Sequence, residues 1–320
     1  MSIIFWIYRP LLFILGFFLL IWGGNLLVNG AVDLAKRLKV SSLLIGLTVV
    51  GCGTSTPELM ASLLAVTGHV DGLAAGNVIG SNIANILLVL GIAAFIHPIH
   101  ISKISIRRDS KFLLLSTFIL SGIIIFGRIT ALLGIFMCAC LGYYIYYAYQ
   151  TDKRHQRLVE EMNQGIPPVS RKKKPLWPFV LRTIIGIGLT IFGAKILVDN
   201  AVMLAEHMNV SEAVIGLTLI AVGTSLPELV TSIIASLKKQ SDVVFGNIVG
   251  SNIYNALFIL GLTAVFMPID VSTTLFSNVI WMMGATVLLL VLSYMRHQIS
   301  RTAGITFVVL YALYISSLGL

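Results

Sequence analysis

The sequence predicts an all-α integral membrane protein in which ten transmembrane helices form two inverted five-helix repeats. Three observations support this prediction: an apolar composition, a long internal repeat and an uneven distribution of basic residues. Hydrophobic residues make up 57% of the 320 residues and charged residues only 11%, whereas a soluble domain carries roughly 25% charged residues. Apolar runs of about 20 residues, each long enough to cross a ~30 Å hydrocarbon core, recur along the chain. The composition therefore predicts a polytopic helical membrane protein.

One stretch of the chain occurs twice. The first copy, residues 46–91, begins GLTVVGCGTSTPEL and ends GNVIGSNIANILLVLG. The second copy, residues 216–261, begins GLTLIAVGTSLPEL and ends GNIVGSNIYNALFILG, so matched residues are separated by 170 positions (216 − 46) without a gap. The similarity continues upstream, where NLLVNGAVDLA at 25–35 matches KILVDNAVMLA at 195–205. A repeat of this length predicts two halves with one architecture.

The apolar runs predict five spans on each side of a polar, basic segment. The predicted spans lie near 10–34, 42–66, 72–96, 112–127, 129–149, 177–201, 212–236, 242–266, 275–295 and 303–320. We expect a first five-helix repeat at 1–149, a basic linker at 150–176 and a second five-helix repeat at 177–320. Because five is an odd number, the second repeat must enter the membrane in the opposite orientation, as in many secondary transporters.

The basic residues indicate which side of the membrane the linker occupies. With the linker in the cytoplasm, 18 of the 22 lysines and arginines lie on that side, seven in the linker and eleven near the ends of spans. Those eleven are Lys36, Arg37, Lys39, Lys103, Arg107, Arg108, Lys111, Lys238, Lys239, Arg296 and Arg301. This asymmetry follows the positive-inside tendency, and both termini are then expected outside. It explains the net charge of +9 without a nucleic-acid partner.

Each copy of the repeat places a proline and a glutamate inside an apolar run. Pro57 cannot donate a hydrogen bond to the carbonyl of Gly53, four residues earlier, and the preceding Gly-Thr-Ser makes local unwinding easy. Irregular backbone at membrane depth is tolerated where it is buried in protein or lines a cavity. Freed carbonyls, the hydroxyls of Thr54 and Ser55 and the carboxylate of Glu58 are hard oxygen ligands, which calcium prefers.

Helical spacing predicts that the polar residues of each copy form two faces, because residues three and four apart share one side of a helix. The first copy places Gly51, Ser55 and Glu58 on one span and Asn77, Ser81 and Asn85 on the next, and the second copy places Ala221, Ser225 and Glu228 followed by Asn247, Ser251 and Asn255. Packing of the halves in opposite orientation would bring Glu58 and Glu228 to a shared centre.

A structural role is the alternative interpretation of these polar residues, since kinked helices and Ser, Thr or Asn side chains can simply pack and bond across helices. However, no lysine or arginine is predicted at the depth of the two glutamates, so a bound cation or a proton remains to compensate them. The cysteines, Cys52, Cys138 and Cys140, form no metal-ligand pattern. No cofactor is expected.

Each copy carries two motifs, GTSTPEL with GNVIGSNIAN in the first and GTSLPEL with GNIVGSNIYN in the second. These motifs resemble the two alpha-repeats of the sodium/calcium exchanger family, within the cation/calcium antiporter superfamily. The resemblance covers both motifs, the flanking spans and the ten-span layout. It implies exchange of calcium against sodium by alternating access, without enzymatic chemistry. The expected partners are these inorganic cations and the lipid bilayer, with no obligatory protein partner. A compact chain without a large regulatory domain favours a prokaryotic-type inner (plasma) membrane.

The resemblance also implies roles for individual residues. Glu58 and Glu228 match the two acidic ligands shared between the calcium and sodium sites. The other implied ligands are the hydroxyl and carbonyl groups of Thr54, Ser55, Thr224 and Ser225, the main-chain oxygens of Gly51 and Ala221, the facing residues Ser81 and Ser251, and the central amides Asn85 and Asn255. Of these, Glu58, Glu228, Thr54 and Thr224 are expected to contact calcium or sodium as metal ligands. Asparagine at both central positions argues against potassium dependence.

Three other functions stay open at this point. A calcium/proton antiporter would use Glu58 and Glu228 to release protons as the metal binds. A passive cation channel would conduct without a counter-ion gradient. A membrane-embedded sensor or scaffold would bind calcium without moving it.

Overall fold

The structure is a computed structural model of the 320-residue chain and describes residues 3–68, 71–162, 175–207, 221–271 and 273–318. Nearly all of these residues are helical, and the described strands are four two-residue segments. The all-helical prediction is confirmed.

The first half begins with a long helix and continues with two interrupted ones. Its helices are α1 (Ile3–Leu38), α2 (Ser42–Ile45), α3 (Gly51–Thr54), α4 (Thr56–Thr67), α5 (Asp71–Ala84), α6 (Gly91–Ile96), α7 (Lys103–Phe126) and α8 (Ala131–Met162). Wider π-helical turns, Gly46–Val50 and Asn85–Leu90, join α2 to α3 and α5 to α6, and the strands are β1 (Ile99–His100) and β2 (Arg128–Ile129).

The second half repeats this order. Its helices are α9 (Trp177–His207), α10 (Ala221–Thr224), α11 (Leu226–Leu237), α12 (Ser241–Tyr254), α13 (Leu260–Phe266), α14 (Phe276–Arg296) and α15 (Arg301–Ser317). A π-helical turn, Asn255–Ile259, joins α12 to α13, and a 3₁₀ turn, Thr273–Leu275, precedes α14. The strands β3 (Ile269–Asp270) and β4 (Gln298–Ile299) match β1 and β2 at the offset of 170. Residues 212–220 of the predicted seventh span lie outside the described residues.

Six helical stretches of the described chain are long and apolar enough to cross a membrane, and a bent pair, Ser42–Thr54 with Thr56–Thr67, makes a seventh. Two of the six are central. In the apolar 18-residue segment of Gly72–Ile96 and of Ser241–Phe266, 72% and 78% of the residues are buried, whereas in the other four stretches the share is 28% to 33%. The spans of the repeated GN motifs therefore form the core, and the outer helices present apolar side chains such as Phe126, 86% exposed, as lipid-facing helices do.

Two boundaries differ from the prediction. Helix α8 continues to Met162, so the first part of the segment predicted as a linker is a helical extension of the fifth span. Helix α7 begins at Lys103, before the predicted span, because Ser102 caps it by accepting from the N–H of Ser105 at 3.1 Å. Arg108, predicted near a span end in contact with the cytoplasm, is buried in this helix.

Burial of Arg108 is possible because its charge is matched. Its guanidinium donates to both carboxylate oxygens of Asp109, at 2.6 and 3.0 Å, and to the carbonyl of Ala148 at 3.2 Å. The hydroxyl of Tyr144 donates to Asp109 at 3.2 Å. Such a pair is tolerated in an apolar interior when its geometry and hydrogen bonds are this complete, and here it ties α7 to α8.

The two halves are joined by strand pairs that obey the sequence repeat. Ile99 of β1 pairs with Ile299 of β4, and Ile129 of β2 pairs with Ile269 of β3, both antiparallel. Adding 170 to the first members of these pairs gives 269 and 299, so each pair maps onto the other when the halves are exchanged. The contacts between the halves therefore have approximate two-fold symmetry.

Close helix contacts follow the same symmetry. A Cβ added to Gly304 would lie 2.6 Å from the carbonyl oxygen of Gly91, and one added to Gly261 would lie 3.0 Å from that of Gly134. These residues bring α15 against α6 and α8 against α13 at backbone distance. Glycine permits such approach between membrane helices, where packing rather than water exclusion drives association.

Candidate cation-binding site

Both halves contain a helix that breaks at a serine two residues before the proline. At Ser55 the backbone leaves helical geometry (φ −82°, ψ 9°), and the axes on its two sides differ by 42°. Ser225 repeats this conformation (φ −87°, ψ 4°). Pro57 and Pro227 lie in the first turn of the following helix, where the missing N–H leaves no hydrogen bond unmade. The predicted local unwinding is therefore present at both motifs.

The two glutamates lie in the first turns of the helices that follow the breaks, Glu58 in α4 and Glu228 in α11. Both side chains are completely buried. A carboxylate is stabilised at a helix N-terminus because the unpaired N–H groups there carry partial positive charge.

Each glutamate is bonded by the serine at the break of the other half. The hydroxyl of Ser55 donates to Oε1 of Glu228 at 3.0 Å, and that of Ser225 donates to Oε1 of Glu58 at 3.5 Å. The offset of 170 relates Ser55 to Ser225 and Glu58 to Glu228, so each bond maps onto the other when the halves are exchanged. The predicted shared centre between the halves is thus present in the structure, with one carboxylate from each half.

A serine on the facing helix of the second half also joins this centre. Ser251 of α12 has its hydroxyl 3.5 Å from Oε1 of Glu228 and 3.5 Å from the carbonyl oxygen of Gly51. The hydroxyl of Thr54 donates to the carbonyl of Val50 at 3.1 Å and lies within 3.4 Å of the carbonyl of Gly51. The break therefore places main-chain, hydroxyl and carboxylate oxygens side by side.

The central asparagines each begin a π-helical turn, Asn85 after α5 and Asn255 after α12. The turn of the first half packs against α11, which carries Glu228, and the turn of the second half packs against α4, which carries Glu58. Single π turns recur at functional sites, because the inserted residue displaces the backbone hydrogen-bond ladder. Both amides are completely buried.

Several buried oxygens of the predicted ligand set have no hydrogen-bond partner among the described residues. They are Oε2 of Glu58, Oε2 of Glu228, Oγ of Ser81, Oδ1 of Asn85 and Oδ1 of Asn255. An unmatched buried polar atom is costly, and buried carboxylates are costlier still. Five such acceptors from the predicted ligand set fit the preference of calcium and sodium for oxygen ligands.

The charges of the site come from the two glutamates. Among the described residues, no cluster of three or more His, Cys, Asp or Glu side chains can hold a metal ion. The buried Arg108 already pairs with Asp109 on α7. Since calcium carries two charges, one calcium ion matches the formal charge of two ionised carboxylates.

Two predicted site residues of the second half are less fully described. Thr224 is partly exposed at the end of α10, while its counterpart Thr54 is buried. Ala221 begins α10, and its side chain lies outside the described set. The other predicted residues, Gly51, Ser55, Glu58, Ser81, Asn85, Ser225, Glu228, Ser251 and Asn255, are all buried.

The structure gives Asn77 and Asn247, predicted on the polar faces, a supporting role and adds Ser62 and Ser232 as their partners. Asn247 donates to the carbonyl of Glu228 at 3.5 Å and to the hydroxyl of Ser232 at 3.1 Å, and Asn77 makes the matching bonds to Glu58 and Ser62 at 3.4 Å. The offset of 170 between Ser62 and Ser232 was the available signal. These bonds hold each glutamate-bearing helix against the next.

This arrangement defines a multi-pass membrane protein with an oxygen-lined site shared by two repeated halves. The chain belongs to the sodium/calcium exchanger family, whose sequence model, described as "Sodium/calcium exchanger protein", matches residues 8–150 and 179–318. The predicted family is therefore confirmed. The family is one of transporters rather than enzymes.

Similar proteins match over almost their whole length. The chain is 36% identical to "Putative antiporter CaxA" of Alkalimonas amylolytica, covering 90% of each. It is 30% identical to "Sodium/calcium exchanger MaX1" of Methanosarcina acetivorans, covering 95% of this chain and 97% of that protein.

The solved structures give the same fold. The sodium–calcium exchanger NCX_Mj, soaked with sodium and strontium, superposes with a TM-score of 0.83 at 31% identity and covers 97% of this chain and 99% of that one. A second NCX_Mj structure, soaked without sodium or calcium, gives 0.83 at 32% identity. The chain therefore has the fold of a membrane cation exchanger.

Proposed function

We propose that this protein is a secondary active antiporter that exchanges calcium for sodium by alternating access. The observation that carries the proposal is the reciprocal bonding of Ser55 to Glu228 and of Ser225 to Glu58 at the centre of the molecule. Both halves contribute equivalent groups to one site, so a relative movement of the halves can expose it to either side in turn. Inverted-repeat transporters work in this way.

The ligand set follows from the unpartnered oxygens. Glu58 and Glu228 supply the charge, and the implied neutral ligands are Thr54, Ser55, Thr224, Ser225, Ser81, Ser251, Asn85 and Asn255 together with the main-chain oxygens of Gly51 and Ala221. Six to eight oxygens in a flexible shell suit calcium. Sodium can occupy the same oxygens because it also prefers hard ligands, and competition for one site is what couples the two fluxes.

The proposed topology has ten spans in two inverted five-helix repeats, 1–149 and 177–320. The paired strands support it, because the positive-inside arrangement places β1 with β4 on the cytoplasmic side and β2 with β3 on the outer side. Two loops can pair only if they emerge on the same side. The segment 150–176 is then cytoplasmic, both termini are outside, and the inner (plasma) membrane is the proposed location.

A calcium/proton antiporter is the second candidate. Its support is the complete burial of Glu58 and Glu228, since a buried carboxylate released by calcium can take up a proton in place of sodium. The two functions differ in the gradient that drives calcium movement.

The deciding experiment is calcium-45 uptake into proteoliposomes with sodium and pH gradients imposed separately. We expect uptake when sodium is inside and little uptake from a pH gradient alone. Uptake driven by the pH gradient and indifferent to sodium would establish the proton antiporter instead. Calcium flux that follows an imposed voltage without either gradient would indicate a channel, and binding without flux a sensor.

A further inference from the structure

Two further asparagines lie beside the central pair. Asn82 and Asn252 precede Asn85 and Asn255 by three residues, and their side chains are 3% and 1% exposed. Their hydrogen bonds differ. Asn85 donates its Nδ2 to the side-chain oxygen of Asn252 at 3.4 Å, whereas Asn82 donates to the main-chain oxygen of Asn252 at 3.3 Å.

The bond from Asn85 determines which end of its amide is free. An asparagine side chain has an acceptor oxygen and a donor nitrogen, and only the oxygen can coordinate a cation. Since Nδ2 of Asn85 is occupied by Asn252, its Oδ1 is the free end, and this oxygen has no hydrogen-bond partner among the described residues. Without an acceptor at Asn252, the amide of Asn85 could turn its nitrogen towards the site.

The second half does not repeat this arrangement. Asn82 is the residue that the repeat matches to Asn252. Its amide donates to the main-chain carbonyl of Asn252, where α12 passes into its π turn, and this carbonyl also accepts from the N–H of Asn255. Neither side-chain atom of Asn255 has a partner among the described residues. One of the two central amides is therefore oriented by a neighbouring side chain, and the other is not.

We infer that Asn252 is a positioning residue that holds the amide of Asn85 with its oxygen towards the cation. The inference rests on the proposed function, in which Asn85 is a ligand. Partners that orient metal ligands typically contribute roughly 10- to 100-fold to metal affinity. Replacement of Asn252 should therefore weaken calcium binding through Asn85, although its own side chain does not contact the ion.

A double-mutant cycle tests this inference. Asn252→Leu removes the acceptor at similar size, and we expect it to raise the KM for calcium roughly tenfold with a smaller change in maximal rate. Asn85→Leu should raise it at least as much. If Asn252 acts through Asn85, the double variant should resemble Asn85→Leu alone, because coupled residues are not additive. Additive effects would overturn the inference.

Asn82→Leu is the matched control, since it removes a buried asparagine that bonds to the main-chain oxygen of Asn252 and leaves the side-chain acceptor of Asn252 in place. We expect its calcium KM to stay at the wild-type value; an increase equal to that of Asn252→Leu would indicate a general packing effect and overturn the inference. The rise in melting temperature with added calcium measures binding without transport. The calcium-dependent melting shift therefore also reports on variants that bind calcium but do not transport it. If Asn252→Leu does not fold, Asn252→Ala replaces it.

These measurements distinguish a failure of the proposed exchange from a failure of the positioning role of Asn252. Wild-type protein without sodium-driven uptake contradicts the proposed exchange. The other outcome is sodium-driven uptake by the wild-type protein while Asn252→Leu keeps the wild-type calcium KM and the wild-type calcium-dependent melting shift. That outcome leaves the proposed exchange intact and overturns the positioning role of Asn252.

Discussion

The hydroxyl of Ser55 donates a 3.0 Å hydrogen bond to the carboxylate of Glu228, which follows it by 173 positions and belongs to the other half of the chain. The equivalent bond from Ser225 to Glu58 is longer, at 3.5 Å. The two halves are thus joined at the residues that carry the charge of the site. A movement of one half relative to the other would therefore change the surroundings of both carboxylates.

Glu58→Gln and Glu228→Gln should each abolish or severely reduce sodium-driven calcium uptake. Each substitution removes one of two negative charges from an all-oxygen site while keeping the size of the side chain, so the protein should still fold. Uptake in proteoliposomes gives the activity, and gel filtration with thermal unfolding in detergent gives the fold. Near-normal exchange by either variant would place the site elsewhere.

Ser55→Ala should raise the calcium KM more than Ser225→Ala does. Both variants lose the same hydroxyl at symmetric positions and a bond to a glutamate carboxylate, but the bond made by Ser55 is shorter, 3.0 Å against 3.5 Å. A hydrogen bond to a charged group contributes about 1.5–3 kcal/mol, which corresponds to roughly tenfold or more in affinity. Initial uptake rates over a range of calcium concentrations measure the difference. Equal KM values would show that the asymmetry has no energetic consequence.

A cysteine at Glu161, in the exposed extension of α8, should react only from the cytoplasmic side, and one at Arg128, in β2, only from outside. The basic residues of the linker motivate the first expectation and the strand pairing motivates the second. Labelling with an impermeant maleimide in oriented vesicles tests both, after the three native cysteines have been replaced. Labelling of both positions from one side would contradict the ten-span inverted topology.

Gly134→Ala should lower the melting temperature, whereas Gly142→Ala on the same helix should not. The added Cβ at Gly134 would clash with the main-chain oxygen of Gly261, while at Gly142 it would meet no described heavy atom within 4 Å. Overpacking of this kind typically costs about 1–3 kcal/mol. Thermal unfolding of both purified variants in one detergent provides the comparison. A similar melting temperature for the two would argue against backbone-distance packing of α8 and α13.

The sequence was informative wherever its pattern was periodic or repeated. The runs of apolar residues located the helices because a span must be long and apolar, and the offset of 170 identified both glutamates from the sequence alone. The pattern failed at Arg108, which was placed near the cytoplasm because isolated charges belong there. Its neighbour Asp109 neutralises it, and only the packing of Tyr144 and Ala148 around the pair makes burial possible.

The sequence by itself determined the membrane class and the duplicated architecture and predicted a set of oxygen ligands, because each depends on composition, spacing or repetition along the chain. The tertiary structure decided how the two copies differ. Asn82 and Asn252 are identical and symmetric in sequence, yet one bonds to backbone and the other holds the amide of Asn85. Hydrogen-bond partners depend on distances of a few tenths of an ångström between residues far apart in the chain, and a linear repeat does not contain those distances.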